Sequence, residues 1–352
     1  MKTFVKGMIF PLGSMLLAVA LLAGCSKKTD FSDIDRGDEI RLSAGMSKIG
    51  EVVSKADLVR PTRGEGVIRA ARTEDLAVAF ARIDEGVSGY PADYSAASAL
   101  NATWKGTLSE TDATAIVFAT KQYYQTNGNN TKMVGWYPRT TSFTGGVATI
   151  AIDGDTDIML TQELEANKAT ASRFGKTGKI FNFEHQLTWI KISAYAKDDD
   201  AKARWGKITS ITVKDQPEAC EITLPATVDF ATESKDIDLV AKKFSDYTAI
   251  DYSDGLEVGV EASETEHNKV ECGYAMVAPV AEDGTFKLEL ETSDYEGSKT
   301  IAVTLPTNAD STVGFKAGSA YEIVLVFTVS EITPTATITD WIEVPDPVVV
   351  PL

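Results

Sequence analysis

The stretch Tyr321-Glu322-Ile323-Val324-Leu325-Val326-Phe327-Thr328-Val329 decides the fold class. On an extended backbone, successive side chains point to opposite faces, so Tyr321, Ile323, Leu325, Phe327 and Val329 share one face. A helix would scatter them around its circumference. The same alternation recurs upstream. Phe286, Leu288 and Leu290 alternate with Lys287, Glu289 and Glu291, and Ile301, Val303 and Leu305 follow until Pro306 stops them. Ala148, Ile150 and Ile152 alternate before an acidic turn, and Ile222 and Leu224 do so before Pro225. Leu160 to Lys168 is predicted as one short helix. Many short strands punctuated by Gly, Asn and Asp predict an all-β chain built of sandwiches.

One segment changes phase. Phe181, Phe183, Leu187 and Trp189 share odd parity, whereas Ile190, Ile192 and Ala194 share even parity. A one-residue slip exchanges the faces, so either a bulge sits near Trp189 or the segment is buried on both faces.

The first residues predict the compartment. Lys2 and Lys6 form a positive start, and Met8 to Leu22 is an apolar run interrupted by Pro11 and Gly13. It falls short of the ~20 apolar residues of a membrane-spanning helix and reads as a signal-peptide core. Leu22-Ala23-Gly24-Cys25 resembles the bacterial lipobox, in which cleavage precedes a lipid-bearing Cys, so Cys25 is the expected lipidation site. The expected organisation is a signal peptide over 1–24 and a tether and propeptide over 25–72. An N-terminal β-sandwich domain over 73–228 and a C-terminal one over 229–352 follow, with 228 marked by the polar residues 231–238 after Pro225. The formal net charge of −17 offers no basic surplus for nucleic acid and suits a self-repelling extracellular surface. Cys220 and Cys272 stand far enough apart to pair in an oxidising compartment or to remain two buried free thiols, the latter being the stronger expectation.

Catalytic and metal motifs fail on inspection. His185 lies between Phe183 and Leu187 and reads as a core histidine; His267 sits in a polar stretch. Asp153-Gly154-Asp155-Thr156-Asp157 begins like a calcium loop, yet Ile158 stands where Gly is required and Leu164 where the bidentate Glu belongs. A solvated turn is the better reading, as is a charged loop for Asp198-Asp199-Asp200. Gly175-Lys176-Thr177 lacks the earlier Gly of a P-loop, since Thr170 occupies that position. Tyr123, Tyr124, Trp136 and Tyr137 offer either a glycan-stacking surface or, as period-2 aromatics more often do, cross-strand packing. No enzyme and no cofactor is expected.

Several motifs combine into a family pattern. Ile40-Arg41-Leu42-Ser43-Ala44-Gly45 follows the lipobox; Gln122-Tyr123-Tyr124 precedes Gly135-Trp136-Tyr137-Pro138. Ile152 to Met159, Phe183-Glu184-His185-Gln186-Leu187, Ala317 to Tyr321 and Ile338-Thr339-Asp340-Trp341 complete the series. In this order they resemble the fimbrillin-like proteins, the type V pilins of Gram-negative anaerobes. The resemblance implies two transthyretin-like β-sandwich domains, export as a lipoprotein to the outer-membrane surface, and a place in a fimbrium after processing. It also implies cleavage after an Arg by a trypsin-like protease, followed by replacement of the first strand by another subunit's C-terminal segment. Arg63, Arg69 and Arg72 are the candidate cut sites, Arg60 being blocked by Pro61. Ile40 and Leu42 are the expected inward-facing residues of the propeptide strand, and Val348, Val349 and Val350 the core of a donor tail. Expected partners are other pilus subunits, the outer membrane through the lipid on Cys25, and the protease. The alternative is an anchored lipoprotein that binds a glycan or host ligand without polymerising.

Overall fold

The computed structural model describes residues 38–46, 74–84, 86, 88–106, 113–176, 178–263 and 267–339. Cys25, Arg63, Arg69, Arg72, Val348, Val349 and Val350 lie outside them. The chain is all-β. The strands begin with β1 (Leu42–Met46), β2 (Leu76–Asp84), β3 (Leu100–Trp104), β4 (Thr114–Phe118), β5 (Thr131–Tyr137), β6 (Phe143–Thr144) and β7 (Val147–Ala151). Next come β8 (Met159–Thr161), β9 (Leu164–Ala166), β10 (Phe181–His185) and β11 (Thr188–Ala196), then the one α-helix among the described residues, α1 (Asp199–Trp205). After it run β12 (Ile208–Pro217), β13 (Ala219–Thr223), β14 (Thr227–Phe230), β15 (Ser234–Asp238), β16 (Gly259–Val260) and β17 (Val270–Val277). The last four are β18 (Phe286–Thr292), β19 (Ser298–Val303), β20 (Ala320–Phe327) and β21 (Ile332–Thr339).

The first sheet closes on itself. Its pairings run β2–β3–β4–β1–β10–β8–β5 and return from β5 to β2, so seven strands form a ring, with β9 added to the far end of β5. Every pairing in the ring is antiparallel except β1 with β10. Inside it lie Val78 and Phe80 of β2, Trp104, Ile116, Met133, and Phe181 and Phe183 of β10. Phe80 meets the rings of Phe181 and Phe183 edge-on at 5.1 and 6.3 Å, and Trp104 stacks on Phe183 at 4.5 Å. Gly135 makes this possible, because a Cβ there would stand 2.5 Å from the Phe80 ring.

β2 and β5 serve two cores at once. Their other faces present Ala79, Ala81, Ile83, Val134 and Trp136 to a second cluster, which includes Ala148, Ile150, Cys220 and Ile222 of the sheet β14–β13–β7–β6. Double burial explains why β2 is apolar almost without alternation. The same cluster continues into β11, which pairs with β20 on one side and with β17 and β16 on the other, and into the sheet β15–β12–β18–β19. Both faces of β11 are buried, and this settles the phase change around Trp189; the register shift against β17 falls later, between Ile192 and Ser193.

Four expectations need correction. Leu160 to Lys168 is not a helix: Leu160 pairs with Trp136 and Glu184, and Leu164 with Met133, so neighbouring strands override the local pattern. Asp198-Asp199-Asp200 is a helix start, in which the Asp198 carboxylate accepts from the Ala201 N–H at 2.7 Å. Val329 lies beyond the end of β20 and is exposed, since Thr328 turns back to bond Glu331. Residue 228 does not divide the pairings, because β14 runs across it and β11 and β12, before it, pair with strands after it. The polar residues 231–238 that marked the boundary contain β15, an edge strand with one face in water.

Candidate functional site

The first described segment, Asp38 to Met46, is the piece that completes the ring. Ile40, Leu42 and Ala44 are 3%, 2% and 0% exposed, while Arg41 and Ser43 between them turn outward. Their inward faces join the cluster of Phe80, Trp104, Tyr124, Phe174 and Phe181. Burying the Ile40 and Leu42 side chains is worth about 3–6 kcal/mol together.

Two walls hold the strand. On one side β1 is antiparallel to β4, with Leu42 opposite Ile116 and Ala44 opposite Thr114. The same wall continues past β4: the Ile40 N–H donates to the Gln122 carbonyl at 2.8 Å, and the Tyr124 N–H donates to the Asp38 carbonyl at 2.9 Å. On the other side β1 is parallel to β10, with Ala44 opposite Phe181 and Met46 opposite Phe183. Without residues 38–46, β4 and β10 would each face an empty strand position lined by aromatic side chains, and their backbone groups there would lose their partners.

The surrounding wall is braced from behind. Arg82 and Asp84, both buried, form a two-point ion pair at 2.6 and 3.1 Å, and Arg82 Nη1 donates to Gln122 Oε1 at 3.3 Å. Thr131 donates its hydroxyl to the same Asp84 carboxylate. The Phe174 N–H donates to the Tyr124 hydroxyl at 2.7 Å, and burial pushes the Tyr124 phenol above its ordinary pKa. Gly175, at φ +77°, lets its loop lie against β1: a Cβ there would stand 3.4 Å from both the Arg41 carbonyl and the Ser43 hydroxyl.

Other sequence candidates fall elsewhere. His185 Nδ1 lies 2.6 Å from Asp157 Oδ2, with both side chains almost wholly buried in the interior. His267 is exposed, stacked on Tyr195 at 4.6 Å and 3.3 Å from Glu261. The Asp153 turn is satisfied by its own chain: its carboxylate accepts from the Asp155 and Thr156 N–H groups at 3.0 and 2.7 Å. Tyr274 then donates to Asp155 at 2.8 Å, and the Met276 N–H donates to the Gly154 carbonyl at 2.7 Å, which ties this turn to β17. Among the described residues no group of His, Cys, Asp or Glu is arranged to hold a metal ion. Tyr124, Trp136 and Tyr137 are core residues, and Tyr123 is half-buried. Cys220 and Cys272 are free and buried, and burial pushes the Cys220 thiol up to about 12.

Sequence reasoning missed Ala44, Phe174 and the Arg82–Asp84 pair. Ala44 continues the parity of Ile40 and Leu42 and was legible. Arg82 and Asp84 gave no signal, because their significance lies in contacts with Gln122 and Thr131 far along the chain.

A family model described as fimbrillin-like matches residues 83–341. No curated protein matches the chain. Among solved structures, a candidate cell adhesion protein from Bacteroides uniformis superposes with a TM-score of 0.52 at 17% identity, covering 80% of this chain and all of that one. A second candidate cell adhesion protein, from Bacteroides ovatus, gives 0.48 at 13% identity over 87% of this chain and 99% of that one. The tip fimbrial protein Mfa3 of Porphyromonas gingivalis, truncated at its C-terminus, gives 0.42 at 8% identity over 86% of this chain and 99% of that one. The family match spans most of the chain and contains both walls of the groove, β4 and β10, and the chain belongs to the fimbrillin-like family.

Proposed function

We propose that this chain is a structural subunit of a surface pilus that supports cell adhesion. It is exported as a lipoprotein on Cys25 and assembled by proteolysis-triggered strand exchange. The observation that carries the reading is the position of residues 38–46. They are separated in sequence from the rest of their ring, yet they supply the strand that closes it and three of its buried side chains. While attached, this strand fills its own groove at high effective concentration. A cut after Arg63, Arg69 or Arg72 makes its departure irreversible by dilution. The vacated groove then offers main-chain hydrogen bonds and apolar pockets to a strand from another subunit, for which the tail around Val348, Val349 and Val350 is the candidate. The partners are other pilus subunits and an Arg-specific protease, and no step calls for enzymatic chemistry by this chain.

The test is limited trypsin treatment of the purified precursor. The uncut protein is expected to be monomeric. The cut protein is expected to stay folded and to form ladders or filaments, and deletion of Pro345 to Leu352 to stop their growth. A cut protein that stays monomeric at high concentration with its tail intact would leave the anchored ligand-binding lipoprotein as the better reading.

A further inference from the structure

The seated strand is gripped at its head by charge. The Asp38 carboxylate pairs with the Arg173 guanidinium, and Glu39 Oε2 lies 3.4 Å from Lys121 Nζ. Both acidic residues immediately precede Ile40, the first buried side chain of the segment. Arg173 is aimed at this place: its Nε donates to the Lys168 carbonyl at 2.9 Å, and the next residue, Phe174, is fastened to Tyr124. The groove therefore has an apolar floor and a basic mouth.

Backbone direction adds a second constraint. Because the Ile40 N–H and the Asp38 carbonyl both bond the wall at Gln122 and Tyr124, even-numbered residues here turn their peptide groups toward that wall. Odd-numbered residues turn theirs to the opposite side, where the pairing with β10 covers Ala44 to Met46. An occupant thus needs an N–H at the even positions, whereas proline is tolerated at the place of Glu39, ahead of the β10 pairing.

The last residues of the chain, Asp346-Pro347-Val348-Val349-Val350-Pro351-Leu352, meet both constraints in one register. Laid over Asp38 to Ala44, they put Asp346 at Asp38, Val348 at Ile40, Val350 at Leu42 and Leu352 at Ala44. Pro347 and Pro351 fall at Glu39 and Ser43, both ahead of the residues paired with β10, and Pro345 keeps the same parity, so none of the three removes an N–H from the wall at Gln122 and Tyr124. A shift of one residue turns them toward it, and a shift of two either buries Asp346 in the Ile40 pocket or moves it off Arg173. Only the final position changes greatly in size.

Building on the strand-exchange reading, we propose that Arg173 sets the register of the groove by binding an acidic side chain two positions before the first buried residue. The occupant it selects is the segment Asp346–Leu352 of a second copy of this chain. The test follows filament growth of the trypsin-treated full chain by light scattering. Asp346→Lys is expected to slow growth about tenfold at low salt, with a smaller loss at high salt, because attraction becomes repulsion at a partly exposed pair. Arg173→Glu alone is expected to slow growth similarly, and the two together to recover it to within about threefold of the parent. A tail substitution leaves the Asp38–Arg173 pair of the precursor untouched, so Asp346→Asn, expected to slow growth about threefold, tests the contact even if Arg173→Glu fails to fold. If the parent grows and Asp346→Lys grows at the same rate, this register is wrong while strand exchange stands. If the parent itself never grows, strand exchange fails and this proposal falls with it.

Discussion

Leu42→Ala is the sharpest probe of what residues 38–46 contribute. Leu42 is 2% exposed, sits opposite Ile116, and points into the aromatic interior of the ring. Replacing a buried Leu by Ala typically costs about 2–5 kcal/mol through lost transfer free energy and the cavity left behind. Here the loss falls on the local equilibrium between a seated and a released strand, because residues 38–46 are separated in sequence from the other strands of the ring. At ~1.4 kcal/mol per decade, the released population should rise between about thirty- and four-thousand-fold. Native-state hydrogen exchange measures this directly. The Ile40 and Tyr124 amides, which bond across the groove, should lose protection by that factor, while amides of β11 and β20 keep theirs. Arg41→Ala is the control: its side chain is 85% exposed and its nearest acidic partner, Glu39, is 3.7 Å away. That change should stay within ~0.5 kcal/mol of the parent. Equal protection at Ile40 and Tyr124 in both variants would refute the idea that inward-facing side chains hold the strand in place.

Two further outcomes are expected. Arg82→Met should lower unfolding free energy in urea by about 3–5 kcal/mol, since it strands the Asp84 carboxylate in the interior, and Asp84→Leu in the same chain should recover much of the loss. The free thiols predict an alkaline limb. Cys220 has its folded pKa raised by burial, so the stability it contributes is complete below the ordinary thiol range of ~8.5 and is lost as pH rises through that range toward about 12. Denaturation midpoints measured across that window should fall with pH, and Cys220→Ser should flatten the fall.

The all-β reading and the fate of β20 were legible because one face of that strand is core and the other is not. Ile40 and Leu42 were legible for the same reason, although nothing local says that β4 and β10 flank them. The rest lay in tertiary pairing. Leu160 to Lys168 has no pattern that betrays two short strands, since their partners, Trp136 and Met133, are remote. The Asp198 cap was readable: three acids before an Ala-rich stretch ending in Lys202, Arg204 and Gly206 complement a helix dipole at both ends. The division at residue 228 misled because the polar residues after it belong to an edge strand with one face in water. The charges that grip Asp38 were invisible as well, because Arg173 meets it only through the fold.

The geometry of β1 has a mechanical consequence. It is held antiparallel to β4 over Leu42 to Ala44 and parallel to β10 over Ala44 to Met46. A pull applied lengthwise loads the bonds to both neighbours together, as shear, and does not peel them one after another as it would from a sheet edge. Resistance to such a pull is governed by the rate of rupture under load rather than by equilibrium stability. An optical-trap extension applied along this strand should therefore meet a high, abrupt rupture force, and one applied across it a low and gradual one.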